Sequence, residues 1–457
     1  MSVHSNDGSA WRTKLQRIGE RSAQEEGFIF NNLGHILSAD MLRELYRQLD
    51  GSKAAGRDGI TKATYGTDLD RNLNDLMKRI RRGQYRPQPA QVIEIPKEDG
   101  STRPLAISCF EDKLVQLAVS KILTAIYEPL FLPCSFGFRP GRSCHDALKA
   151  LCGATYKVYD GAVVEIDLRS YFNAIPHGPL MRLLRQKIQD WRFVGLLEAL
   201  IKAPTLNPDG TVEKNERGSP QGSILSPVLA NVYLHHVIDE WFDSISRSHF
   251  RGRAWEVRYV DDMVFVFEDS RDAEAFYRVL DKRLGKYGIE MHQDKSNLLP
   301  SGTKAAARAH ATGQKMPTYK FLGFTCYWGL ARNRRFWRLK LKSRSDRKGA
   351  KLKGLRKFLR QNLNTPNTPR VVSTVVAGVR GWVNYHAVSD NQQAVSGFID
   401  ESKRILFRWF NRRGGRRRMT WLKFQKLLAT VEFPRVPHPV ILYPTPNRAM
   451  PNVKSGA

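Results

Sequence analysis

Two periodicities alternate along this chain. Met263, Phe265 and Phe267 interleave with Val264 and Val266, so both faces of the run are apolar, the pattern of a strand buried on each side. Trp255 to Tyr259 forms a strand-like run just before it, and Ala162 to Ile166 forms another. Val92–Pro96 and Thr102–Ile107 suggest two strands joined through Lys97-Glu98-Asp99-Gly100, a hairpin turn with glycine. Residues 303 to 318 lack apolar periodicity and are expected to form a surface loop, after which Tyr319 to Phe324 resumes as strand.

Elsewhere the spacing is helical. Ser38-Ala39-Asp40 introduces a helix with Met41, Leu42, Leu45 and Leu49 on one face. Leu69, Leu73, Leu76 and Ile80 mark a second that ends near Arg82-Gly83, and further helices are expected from about Phe110 to Tyr127 and from about Gly178. The first thirty or so residues are polar, helical or loosely ordered. Beyond about residue 330 the chain becomes basic and helical, with Val372, Val375, Val376, Val379, Trp382 and Val383 on one stripe. Phe398, Ile405, Leu406, Trp409 and Phe410 form another, and both stripes are most simply core contacts. The expected class is α+β: a mixed region over 1–330, then a small basic helical domain over 331–457.

A chain of 457 residues should make two or three domains with a substantial core. Its formal charge is +30, and residues 331 to 457 hold 29 Lys and Arg against 5 Asp and Glu. That imbalance over a folded segment favours a polyanionic partner, with a phosphate backbone foremost. The five cysteines form no CxxC pair or Cys/His zinc spacing, as expected of a reduced intracellular protein without a structural metal. No apolar run is long enough to span a membrane, and the N-terminus lacks a signal core. A bacterial cytoplasmic location, on the nucleoid or in a ribonucleoprotein, is expected.

Chemistry concentrates at Tyr259-Val260-Asp261-Asp262, two carboxylates at a tight turn between two strands. Burying such a strand end is costly without a cation or a basic partner. Alone, the tetrapeptide also fits a helix cap or an exposed Asp-Asp turn. Asp167, delivered at the end of the run Ala162 to Ile166, changes that weighing. One carboxylate at a strand end and two at a hairpin tip can converge on hard cations, which take oxygen ligands. Two Mg²⁺ ions roughly 4 Å apart, with Mn²⁺ as an alternative, would support nucleotidyl transfer.

Ordered blocks surround these aspartates: Ala55-Gly56-Arg57-Asp58-Gly59-Ile60, Ile95-Pro96-Lys97 through Arg103-Pro104-Leu105, and Ser135-Phe136-Gly137-Phe138-Arg139-Pro140-Gly141-Arg142-Ser143. Gly218-Ser219-Pro220-Gln221-Gly222-Ser223-Ile224-Leu225-Ser226-Pro227, Gly288-Ile289 to Asp294-Lys295-Ser296, and Phe321-Leu322-Gly323-Phe324 follow. From about residue 30 to 445 the series resembles the reverse transcriptases encoded by group II introns. Gly381-Trp382-Val383-Asn384-Tyr385, Thr420-Trp421 and Pro434 to Tyr443 resemble that family's thumb, or maturase (X), domain. The resemblance implies right-hand polymerase fingers and palm over 1–330 and a helical thumb over 331–457. It departs at Val260, where the family usually has alanine. No Cys/His-rich nuclease segment follows the thumb, so target-DNA cleavage is expected to come from elsewhere.

The resemblance implies roles. Asp167 and Asp261 would bind the metals, with Asp262 completing the charge. Phe172 matches the steric-gate position, though a core aromatic beside Tyr171 is the plainer alternative. Lys97 and Arg103 would meet the triphosphate, and Gln221 the nucleotide sugar or the template. Lys295 would neutralise the carboxylates beside the nucleotide. Arg139 and Arg142 would meet template or primer phosphates. Arg332, Arg334, Arg335 and Arg338 with Trp337, and the run Arg412, Arg413, Arg416, Arg417 and Arg418, suit helical RNA.

The partners implied are structured intron RNA, an RNA template, a DNA primer and dNTPs, with no membrane and the oligomeric state open. The leading expectation is an RNA-directed DNA polymerase that also assists splicing. A splicing factor with an idle polymerase site, and a domesticated enzyme of DNA repair or phage defence, are the alternatives. Three retained carboxylates argue against the first of these, and flanking DNA would discriminate the second.

Overall fold

The computed structural model describes residues 10–96, 102–218, 222–413 and 419–443. At its centre is a four-stranded antiparallel sheet in the order Ala254–Tyr259, Asp262–Phe267, Gly161–Ile166, Asn297–Ser301. Side chains alternate across a strand, and here both sides find a core. Ala162, Val164, Ile166, Met263, Phe265 and Phe267 face a large core shared with the helices Phe110–Tyr127, Ser226–Leu234 and Ser270–Lys286. Val163, Val257, Val264 and Val266 face a second core, shared with helix Cys144–Tyr156. Burying one such side chain contributes about 1.5–3 kcal/mol. Two-sided burial is why the runs Ala162 to Val164 and Met263 to Phe267 show no polar alternation.

The second core is closed by a three-stranded antiparallel sheet, Tyr319–Phe321, Phe324–Leu330 and Trp337–Ser343. The last strand corrects the expectation of helix beyond residue 330. Leu339 and Leu341 are buried while Arg338, Lys340 and Lys342 alternate with them. The basic residues gave the segment its character and hid a period of two. Helix Thr303–Ala311 corrects the expected loop over 303–318. Its buried side is Ala305 and Ala306, a strong helix former without the bulk that marks an apolar stripe.

The N-terminal part carries the expected helices. Ala39–Gln48 starts at Ser38, whose side chain accepts from the Met41 N–H, and Leu69–Arg81 buries Leu73, Leu76 and Met77. The strands Ala90–Pro96 and Thr102–Ile107 pair antiparallel, with Ile93 opposite Leu105. A third core begins with helix Ser345–Gln361 and continues through Thr368–His386, Gln392–Arg413 and Trp421–Thr430. Both expected stripes line it, with Phe410 at its edge. No described helix is long and apolar enough to cross a membrane.

Candidate functional site

The hairpin register fixes the carboxylates. Tyr259 pairs with Asp262, leaving Val260 and Asp261 as a two-residue turn. Val260 has φ of +61°, a region where turns of this kind favour glycine and a β-branched residue is strained. On the central ladder Ile166 pairs with Met263, so Asp167 and Asp262 flank that pair on adjacent strands, at one end of the ladder. The Asp167 N–H donates to Ser296 Oγ at 3.2 Å, and the His292 N–H donates to the Asp167 carbonyl at 2.8 Å. A cleft of about 450 Å³ opens in front, lined by Glu165, Asp167, Asp262, Lys295, Arg344 and Arg347 among others.

The cleft is electrostatically unbalanced. Asp262 opens onto it, yet crowding by protein pushes its carboxyl up to about 6, and Asp261 and Asp167 add repulsion that Arg347 only partly offsets. Glu165 is also raised, chiefly by burial. Lys295 Nζ lies 3.7 Å from Asp167. Like charges gathered on oxygen donors are what a hard divalent cation relieves, so the residues present fit one. Glu165, Arg344 and Arg347 were not found from sequence; the arginines read there as general basic character.

The hairpin hangs from a buried guanidinium that sequence reasoning passed over as a strand residue. Arg258 is fully buried and forms two bonds to Asp239, at 2.7 and 2.6 Å. It also donates to Asn231 Oδ1 at 2.9 Å, to Ser135 Oγ at 2.8 Å and to the Val260 carbonyl at 3.3 Å. Asn231 in turn donates to the Gly137 carbonyl at 2.7 Å. The loop before helix Cys144–Tyr156 docks on the same strand, through the Phe136 N–H to the Arg258 carbonyl at 2.8 Å. Burial raises the Glu256 carboxyl well above its usual range, with the charge of Asp239 adding to it, which leaves Asp239 as the counter-charge of Arg258.

Phe172 is half-buried against the large core on the short helix Tyr171–Ala174. Gly218 abuts its backbone: a Cβ there would lie 2.5 Å from the Phe172 carbonyl oxygen. Gly222 approaches the strand Thr102–Ile107 as closely, with a Cβ 2.5 Å from the Ala106 carbonyl oxygen. Gly218 thus packs closely on the Phe172 backbone, and Gly222 on the N-terminal hairpin. Gln221 and Lys97 lie outside the described residues, as does the side chain of Arg103.

Two expected nucleic-acid contacts are corrected. Arg139 is buried and binds Glu128 through Nε and Nη2, with Nη1 on the Leu132 and Ser135 carbonyls, so every N–H faces protein. Arg338 pairs with Asp390 at 2.8 Å and lies 3.9 Å over the Tyr443 ring, clamping the strand to the C-terminal segment. Their identity as arginine was legible, and the carboxylates that hold them, Glu128 and Asp390, were not. Arg142 is half-buried, donates to the Pro133 carbonyl at 2.7 Å and stacks on Phe136. Arg334 and Arg335 are exposed at the tip between Phe324–Leu330 and Trp337–Ser343. Arg416, Arg417 and Arg418 lie outside the described residues.

A family model described as "Reverse transcriptase (RNA-dependent DNA polymerase)" matches residues 95–326, half of the chain. The group II intron-encoded protein LtrA of Lactococcus lactis subsp. cremoris is 37% identical over 227 residues, 49% of this chain and 37% of that protein. An uncharacterized 91 kDa protein in the cob intron of Schizosaccharomyces pombe is 35% identical, over 52% of this chain and 30% of its own length. Protein YkfC of Escherichia coli is 33% identical, over 52% of this chain and 70% of its own. The match therefore spans little more than a third of LtrA and less of the cob intron protein.

Proposed function

The chain belongs to the reverse transcriptase (RNA-dependent DNA polymerase) family, and on that footing we propose that it is an RNA-directed DNA polymerase of the group II intron type. It also binds its structured intron RNA and assists splicing. The observation that carries this reading is the set of three carboxylates: Asp167 and Asp262 flank the paired residues Ile166 and Met263 at one end of the ladder, and Asp261 adjoins them in the turn.

Reverse transcriptases work with divalent metal ions. Asp167 and Asp261 would hold two Mg²⁺, or Mn²⁺ in their place, with Asp262 completing the charge. When bound, the cations would activate the primer 3′ oxygen and stabilise the departing pyrophosphate. The chain's own residues position the reactants, and positioning supplies much of the rate in such transfers. Lys295, Arg344 and Arg347 line the carboxylate cleft with positive charge suited to phosphate oxygens. Lys97 and Arg103, on the hairpin, would close on the triphosphate. Phe172 would sit under the sugar and exclude a 2′-hydroxyl, and Gln221 would meet the nucleotide sugar or the template.

RNA template and DNA primer would run across the palm, and intron RNA would meet the basic C-terminal quarter. The charge excess of residues 331 to 457 supports this, 29 basic against 5 acidic, as do exposed Arg334 and Arg335. Arg142, Arg416 and Arg417 would add phosphate contacts. Such a protein works beside its RNA in the cytoplasm, on the nucleoid or in a ribonucleoprotein. The test is extension of a DNA primer on an RNA template, which should require dNTPs and a divalent cation.

A further inference from the structure

The helix Ser226–Leu234 widens into a π-turn, His235–Asp239, before continuing as Glu240–Ser248. A π-turn brings residue i to i+5, so His235 meets Glu240 while His236 already faces it at helical spacing. His235 Nε2 lies 3.3 Å from one Glu240 oxygen, and His236 Nδ1 lies 2.8 Å from the other. The three donor atoms fall within 4.8 Å of one another. His235 is buried, and the Glu240 side chain is 50% exposed, so the cluster opens to solvent on one side.

Hydrogen bonding leaves this cluster unsatisfied. His235 Nδ1, His236 Nε2 and the Tyr127 hydroxyl are buried without a hydrogen-bond partner among the described residues. Asp239 stands 3.8 Å from His235 Nδ1, on the opposite side of the ring from Glu240. A neutral imidazole has one N–H, so it turns a lone pair toward one of the two carboxylates. One arrangement meets both: a first contact through Nε2 to a metal ion, and a second through Nδ1–H facing Asp239. That arrangement is the carboxylate–histidine–metal triad by which proteins orient metal-binding imidazoles.

We propose that His235, His236 and Glu240 bind one divalent transition ion of the zinc class, with Asp239 as the outer carboxylate and a fourth position open to solvent. Two imidazoles and one carboxylate select such an ion over Mg²⁺, which takes oxygen ligands. The site is separate from the three catalytic aspartates. It reaches them through Asp239 and Arg258, which also bonds the Val260 carbonyl.

The test is Zn²⁺ and Co²⁺ binding by the full chain carrying Asp261→Asn and Asp262→Asn, with Mg²⁺ in excess. One equivalent of Zn²⁺ should survive dialysis, and Co²⁺ should give the visible spectrum of a four-coordinate nitrogen–oxygen site. His236→Gln and Glu240→Gln should each weaken binding by about tenfold or more; Glu240→Gln is isosteric and half-exposed, so it keeps the fold. Zinc retention that neither variant changes overturns the proposal. So does no retention of zinc by the folded protein.

Discussion

Gly137 lies directly against Val260: a Cβ at position 137 would stand 2.5 Å from Val260 Cγ2 and 2.8 Å from its backbone nitrogen. A loop more than a hundred residues earlier thus presses on the turn that carries Asp261. Overpacking of this kind costs about 1–3 kcal/mol. Gly137→Ala should lower stability by that amount and slow turnover, and Val260→Ala should restore part of both. A double-mutant cycle measured by urea unfolding should return a coupling of about 0.5–3 kcal/mol. Additive effects would mean the contact does not constrain the turn.

Arg258→Met should be far more damaging than its place on a strand suggests. It would strip Asp239 of the guanidinium that holds both its oxygens in the core, at a cost of about 3–5 kcal/mol. Arg258→Lys keeps the charge but not the fork that reaches Asp239, Asn231 and Val260 together. Its expected signature is reduced kcat with little change in the KM for dNTP. Equal loss in a variant confined to the distal side of the network would remove the link to the turn.

Asp262 makes metal binding depend on pH. Its pKa, raised to about 6 by the protein crowded round it and then by Asp261 and Asp167, lies above its unfolded value. The cation-free protein therefore takes up a proton there on folding, and stability from this group grows as pH falls below about 6 toward the unfolded value and is absent well above it. A divalent cation needs the ionised form, so its binding should release protons near that pH and weaken below it. Calorimetry of Mn²⁺ binding in buffers of different ionisation enthalpy should detect the release, and Asp262→Asn should abolish it.

Phe172→Ala should relax sugar selection. If the ring bars a 2′-hydroxyl, NTP incorporation relative to dNTP should rise on the order of tenfold or more, in single-nucleotide extension with both substrates. An unchanged ratio with lowered stability would make Phe172 a core aromatic and no more.

Arginines that look alike in sequence should separate in binding assays. Replacing exposed Arg334 and Arg335 together should weaken RNA binding and reduce its salt slope by about 1–2. Arg139→Ala should instead lower stability, because its bonds to Glu128 lie inside the fold. Filter binding across a salt series, alongside denaturation, distinguishes the two.

The palm was legible because two-sided burial writes itself as an unbroken apolar run, and because Asp167 and Asp261-Asp262 stand at the ends of such runs. The thumb stripes were legible for the same reason at helical spacing. What escaped was carried by long-range contact. Arg258 differs from an exposed strand arginine only in having Asp239, Asn231 and Ser135 around it, from distant segments. Arg338 hid a strand by resembling an RNA contact, when its charge is spent on Asp390. The alanine-rich helix Thr303–Ala311 escaped because its buried face has almost no bulk.

The most direct measurement is primer extension on an RNA template with Mg²⁺, comparing the wild type with Asp261→Ala and dNTPs with NTPs. DNA synthesis by the wild type with dNTPs, absent in a folded Asp261→Ala variant that still binds RNA, is the predicted result. No synthesis by a folded, RNA-binding wild type, or synthesis that survives loss of Asp261, would contradict a polymerase site at these aspartates.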